Sequence, residues 1–116
     1  MPTVLIIDDE EMVRRATRRF VQMLFEGWQV IEASGGEEGI RMFSEQPVDI
    51  VITDLKMPHV SGHDVIRTIR ETNKEVKILA QSGNLPEGGV EGADACLEKP
   101  MLLEDFERTL RSLVQE

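Results

Sequence analysis

Apolar positions along the chain fall into two alternating patterns. Short runs rich in β-branched residues occur at 4–7, 29–33, 49–53, 76–80 and, more weakly, 95–98. Between them apolar side chains recur at helical spacing: Val13, Thr17, Phe20 and Leu24; Ile40 and Phe43; Val65, Ile66 and Ile69; Phe106, Leu110 and Leu113. The first pattern predicts strands, and the nearly continuous VDIVIT run predicts a central strand buried on both faces. The second predicts helices with one apolar stripe. Turn residues mark the junctions at Gly27, Gly35, Gly36, Gln46, Pro47, Pro58, Gly62 and Gly92. Strand–helix alternation implies parallel strands joined by crossover helices, an α/β fold with both sheet faces covered.

One stretch departs from the alternation. Residues 81–95 read QSGNLPEGGVEGADA and contain Gly83, Pro86, Gly88, Gly89 and Gly92. In a helix interior each glycine costs about 1 kcal/mol and proline about 3 kcal/mol. The fourth helix is therefore expected to be short, irregular or replaced by a loop.

Composition narrows the function. The 116 residues suit one domain, 1–116, with no second or output domain in the chain. A net charge of -9, from 22 acids and 13 bases, argues against nucleic acid as a partner of this segment. A single cysteine, Cys96, excludes an internal disulfide framework and fits a reducing compartment. No apolar run approaches the ~20 residues that span a bilayer, and no signal-peptide pattern opens the chain. A cytoplasmic location without membrane association is expected.

The chemistry gathers where strands end. In doubly wound sheets, sites form at the carboxyl ends of the strands. The first strand ends in Asp8, Asp9 and Glu10, the third in Asp54, the fourth near Ser82, and the fifth in Lys99 and Pro100. Crowded carboxylates repel: a pair at 4 Å costs about 4 kcal/mol at an effective dielectric near 20. A hard divalent cation offsets that repulsion, and magnesium takes oxygen ligands from one or two carboxylates, water and phosphate. Lys99 adds a compact positive charge and Ser82 a hydroxyl donor. The set reads as a site for phosphoryl transfer at Asp54 through an acyl phosphate. Asp54 alone could equally be a turn-capping aspartate, but that leaves Asp8, Asp9 and Lys99 unexplained.

The motifs VLIIDDE (4–10), DIVITDLKMP (49–58), Gly62, ILAQSG (78–83) and LEKP (97–100) together resemble the response-regulator receiver domain of two-component signalling, the family of the chemotaxis receiver. The resemblance covers nearly the whole chain. It implies a five-stranded parallel sheet of order 2-1-3-4-5. It implies that Asp54 accepts a phosphoryl group from a histidine kinase or histidine phosphotransfer protein. Magnesium would be held by Asp8, Asp9, Asp54 and the backbone carbonyl of Lys56, with Asp9 the most direct. Ser82 and Lys99 would contact the phosphoryl group, the bond to Pro100 would be cis, and Lys56 and Asn84 would tune the phosphoryl lifetime. Such a module is not an enzyme beyond assisting its own phosphorylation and dephosphorylation, and it signals to a downstream effector protein.

Two features depart from the family pattern. Cys96 stands where an aromatic switch residue is usual, and the chain has no tyrosine. It reads most simply as a small strand residue. The shortened fourth segment removes part of the usual output face. An interaction module with the fold but no productive phosphorylation is the alternative. A magnesium-dependent phosphohydrolase is a second one, disfavoured by Lys56 two residues after Asp54 and by the lack of a cap domain. Arg14, Arg15, Arg18 and Arg19 on the first helix read as a solvated face, supported by Glu10 and Glu11 four residues before Arg14 and Arg15, or as a docking face for an acidic partner. His59 and His63 read as loop histidines, and Met12, Met23, Met42 and Met101 as fillers.

Overall fold

The computed structural model describes residues 2–114. In chain order its elements are β1 (Thr3–Ile7), α1 (Glu11–Leu24), β2 (Gln29–Ala33), α2 (Gly36–Glu45), β3 (Ile50–Asp54), α3 (Gly62–Thr72), β4 (Lys77–Ser82), β5 (Ala95–Glu98) and α4 (Leu103–Val114). The five strands are parallel and ordered β2-β1-β3-β4-β5, as the resemblance implied. β3 and β4 reach one or two residues further than their apolar runs, so that Asp54 and Ser82 are the last residues of their strands.

Strands alternate their side chains between two faces, and each face has its own core. Leu5, Ile7, Val51, Ile78 and Ala80 pack with Val65, Ile66 and Ile69 of α3. Val4, Ile6, Ile50, Ile52 and Leu79 pack with Val21 of α1 and Phe106, Leu110 and Leu113 of α4. The central strands β1 and β3 are buried at every position, as their continuous apolar sequences require. At the outer end of the second core, Phe25 stacks on Trp28 at 4.1 Å between centroids, and the Arg111 guanidinium lies 4.8 Å above the Phe25 ring.

No helix occurs between β4 and β5; the crossover is the loop 83–94. α3 holds this loop. Gly92 has φ +89 and lies so close to α3 that an added Cβ would fall 2.7 Å from Ile66. Arg70 donates to the carbonyls of Gly92, Asn73 and Val76 and pairs with Asp94. Val90 is buried in the loop and Leu85 and Ala93 pack beside it. The glycines forbid a helix, and the loop still covers the sheet.

Candidate functional site

The carboxyl edge of the sheet carries a buried ion cluster. Asp8 follows β1 directly and is 2% exposed; Asp54 closes β3 and is 5% exposed. Lys99, at the end of β5, reaches both: its Nζ lies 3.1 Å from Asp8 Oδ2 and 3.3 Å from Asp54 Oδ2. The other Asp8 oxygen, Oδ1, accepts the backbone N–H of Glu10 at 2.9 Å, and the Asp8 carbonyl accepts from Arg14 at 2.8 Å. β1, β3 and β5 thus deliver one charge each, and α1 fixes the first.

Burial pushes the Asp54 carboxyl above its ordinary range, and Asp8 adds to the shift; Lys99 and the backbone N–H of Lys56 oppose it without cancelling it. Burial acting alone would depress Lys99, but the carboxylates of Asp8 and Asp54 outweigh it and hold the ammonium above its ordinary value. One cation therefore serves two buried acids, and the negative charge is undercompensated.

Oxygens of Asp8, Glu10 and Asp54 lie within 4.8 Å of one another. Three convergent carboxylate oxygens, two from buried residues, are the donor set of a hard divalent cation. The structure therefore groups Glu10, itself exposed, with the buried Asp8 and Asp54; Asp9, also exposed, is not in this group. Glu10 is the N-cap residue of α1, and its extended backbone projects it beside Asp8. The DDE run carried that signal, but strand-end counting alone does not say which of three consecutive acids lies beside Asp54. His59 and His63 join no such group among the described residues; His59 is a turn residue with φ 68.

The rim is built by the two neighbouring loops. Gly62 opens α3 directly under Asp54: an added Cβ would fall 2.1 Å from the Asp54 carbonyl oxygen, so only glycine fits. Ser61 and Asp64 form a reciprocal capping box that starts the helix there. Ser82 is buried, and its hydroxyl accepts the backbone N–H of Asn84 at 3.2 Å. Lys56, Ser61, His63, Ser82 and Asn84 line a shallow cavity of about 320 Å³. The Lys99–Pro100 bond is cis. Cys96 is half-buried and packs against the α3-side core, as a small strand residue would.

The arginines of α1 differ from the solvated row read from sequence. Arg14 does not pair with Glu10; it and Arg18 both grip Glu32 of β2, at 2.9 and 2.8 Å. Burial would raise Glu32, yet Arg18 and Arg14 hold its carboxyl below the ordinary range. Arg15 pairs with Glu11 at 2.7 Å as expected. Alongside runs an apolar groove of about 440 Å³, lined by Met12, Val13, Ala16, Phe20, Pro100 and Met101 and bordered by Lys99.

Comparison with known proteins settles the family. A family model described as the response regulator receiver domain matches residues 4–111. The chain belongs to this family. The receiver domain is 35% identical over 119 residues to the transcriptional regulatory protein KdpE of Mycobacterium tuberculosis, covering 99% of this chain and 52% of that protein. It is 32% identical to the autoinducer 1 sensor kinase/phosphatase LuxN of Vibrio harveyi, covering 94% of this chain and 13% of that protein. The receiver thus spans about half of the one relative (52%) and a small part of the other (13%). Among solved structures it resembles response regulator TrrA of Thermotoga maritima in complex with Mg2+-BeF, with TM-score 0.89, 27% identity and coverage of 98% and 100% of the two chains. The same regulator bound to histidine kinase ThkA gives TM-score 0.87 at 27% identity, covering 99% of this chain and 100% of that one. Receivers are signalling modules of two-component systems rather than classical enzymes. No helix among the described residues is long and apolar enough to cross a membrane.

Proposed function

We propose that this receiver is a phosphoacceptor: Asp54 takes a phosphoryl group from the phosphohistidine of a histidine kinase or phosphotransfer protein. The observation that carries the reading is Lys99 held between two buried carboxylates, Asp8 and Asp54, at 3.1 and 3.3 Å. A merely structural ion pair needs one acid. The second, with Glu10 beside it, creates a negative pocket that asks for a cation and then for an anionic group bridging to it. The phosphorus–nitrogen bond to imidazole breaks as the bond to an Asp54 carboxylate oxygen forms. Bound Mg2+ would neutralise charge on the transferring oxygens. Asp8 and Asp54 would anchor it, with the Lys56 carbonyl, and Asp9 or Glu10 would complete the set.

Lys99 would follow the charge from the carboxylate onto the phosphoryl oxygens. Ser82 would have to release Asn84 to donate there, which links phosphorylation to the start of loop 83–94. Lys56 and Asn84 flank the cavity through which hydrolytic water would arrive, the basis for tuning the phosphoryl lifetime. The α1 groove, apolar with Lys99 at its border, suits the helical surface of a phosphodonor. The resemblance to a regulator solved in complex with a histidine kinase supports this partner class. The segment itself would act in the cytoplasm as one domain, without contacting nucleic acid or membrane, and pass its state to an effector protein.

The test is intact mass over time with magnesium and acetyl phosphate, with Asp54→Ala alongside. One phosphoryl group on the native chain and none on the variant is expected. No addition with excess donor or with a cognate kinase would instead make the chain an interaction module.

A further inference from the structure

Gln81 is a polar residue in an apolar place. β4 reads KILAQS, and Ile78, Leu79 and Ala80 are fully buried. Gln81 is 2% exposed, among the largest buried side chains of the fold. Strand register sets it abreast of Asp54 on β3 and Leu97 on β5. Registered residues of parallel strands project to the same face, so Gln81 and Asp54 share the side on which Ile52, Leu79 and Leu97 meet Phe106. Its side-chain Nε2 is fully buried and has no hydrogen-bond partner, and no other side-chain nitrogen or oxygen among the described residues shares that condition.

A buried NH2 donor without an acceptor destabilises the state that contains it, and an apolar isostere recovers that loss. A chain that keeps such a donor next to the phosphoacceptor has a reason to look for in its other state. Among the described residues Lys99 is the only cation paired with the carboxylates of Asp8 and Asp54, and both acids draw on it. Phosphorylation replaces one carboxylate with a group of more oxygens and more charge, while Asp8 still needs the ammonium.

We propose that Gln81 is a positioning residue of the phosphoacceptor site, whose idle amide hydrogen-bonds the oxygen-rich group formed on Asp54 when that residue is phosphorylated. The inference rests on the phosphoacceptor reading above. A bond made only in the phosphorylated state moves the equilibrium toward that state. It also gives β4 a state-dependent contact on the face covered by α1 and α4, opposite the face on which Cys96 packs.

Thermal unfolding of the native chain and of Gln81→Met, each with and without magnesium and beryllofluoride as the phosphoryl mimic, tests it. Gln81→Met is expected to raise the resting Tm by about 4 °C and to lose about half of the beryllofluoride-dependent increment. An equal increment in both chains would overturn the inference. A second measurement needs no variant: the side-chain NH2 resonances of Gln81, assigned through its own Cβ and Cγ in labelled native protein, should move downfield on adding the mimic. Resonances that stay put overturn the inference while the Tm increment keeps the phosphoacceptor reading. No increment in the native chain removes both.

Discussion

Arg70, near the end of α3, and Asp94, just before β5, form an ion pair at 2.8 Å with side chains 17% and 33% exposed. The same Asp94 oxygen accepts the backbone N–H of Ile78, so the pair ties helix, loop and strand at one point. One guanidinium with three carbonyls does for this crossover what a helix backbone does for the others.

Arg70→Ala is accordingly expected to cost about 2 kcal/mol in urea unfolding, because it strips donors from partly buried carbonyls. Amide exchange across 83–94 should accelerate while β1 and β3 stay protected. Arg70→Lys should recover little, since an ammonium cannot reach four acceptors from one planar group. Unchanged exchange in the loop would show that Gly92 and Val90 hold it alone.

Removing the central cation exposes the stored repulsion. Lys99→Met should destabilise the fold by about 2–3 kcal/mol, leaving two buried acids without their partner. Millimolar magnesium should return part of that stability, and more of it than in the native chain. Urea titrations with and without the ion decide this; a loss indifferent to magnesium would place the cation site elsewhere.

Asp54 gives a pH signature with a definite sign. Its folded-state carboxyl titrates above the ordinary value of 3.8, chiefly through burial. The folded chain therefore binds that proton more tightly than the unfolded chain does. The associated stability is complete below the ordinary value and is lost as pH rises through the raised one. Asp54→Asn keeps the neutral form at every pH. Its stability advantage should be absent in acid, where Asp54 is itself neutral, and should grow as pH rises through the raised value. A constant advantage across the range would contradict the shift.

The third acid of the cation site can be identified by magnesium titration. Asp9→Asn and Glu10→Gln should each weaken binding several-fold, since both lower the negative field at the pocket mouth. The larger loss names the inner ligand. Asp8→Asn should exceed the lesser of the two, because Asp8 is fixed by the Glu10 N–H and cannot be replaced by a neighbour.

Much of this was readable beforehand, for physical reasons that also explain the rest. Continuous β-branched runs have no alternative to buried strands, so β1 and β3 emerged almost to the residue. Five glycines and prolines in 81–95 left no helix to form. Asp8, Asp54 and Lys99 declared themselves because a parallel sheet sends the ends of its strands to one edge. Glu10 did not, since its place beside Asp8 and Asp54 depends on how α1 begins. Arg70 finds Asp94 across 24 residues of helix, strand and irregular loop, and no periodicity encodes such a meeting. Arg14 chose Glu32 over Glu10 for the same reason. Gln81 stood in plain view within ILAQSG, a lone amide in an apolar run, but its lack of a partner is a property of the packed strand alone.

The clasp between Asp8 and Lys99 spans 91 residues of sequence. During synthesis the first acid leaves the ribosome long before the lysine is made, and β5 is the last strand to be added. A chain still being translated holds Asp54 without its counter-charge, and a truncated one never acquires it. The buried ion cluster is therefore complete only with the finished sheet, which makes it a built-in certificate that translation of this fold has run to the fifth strand.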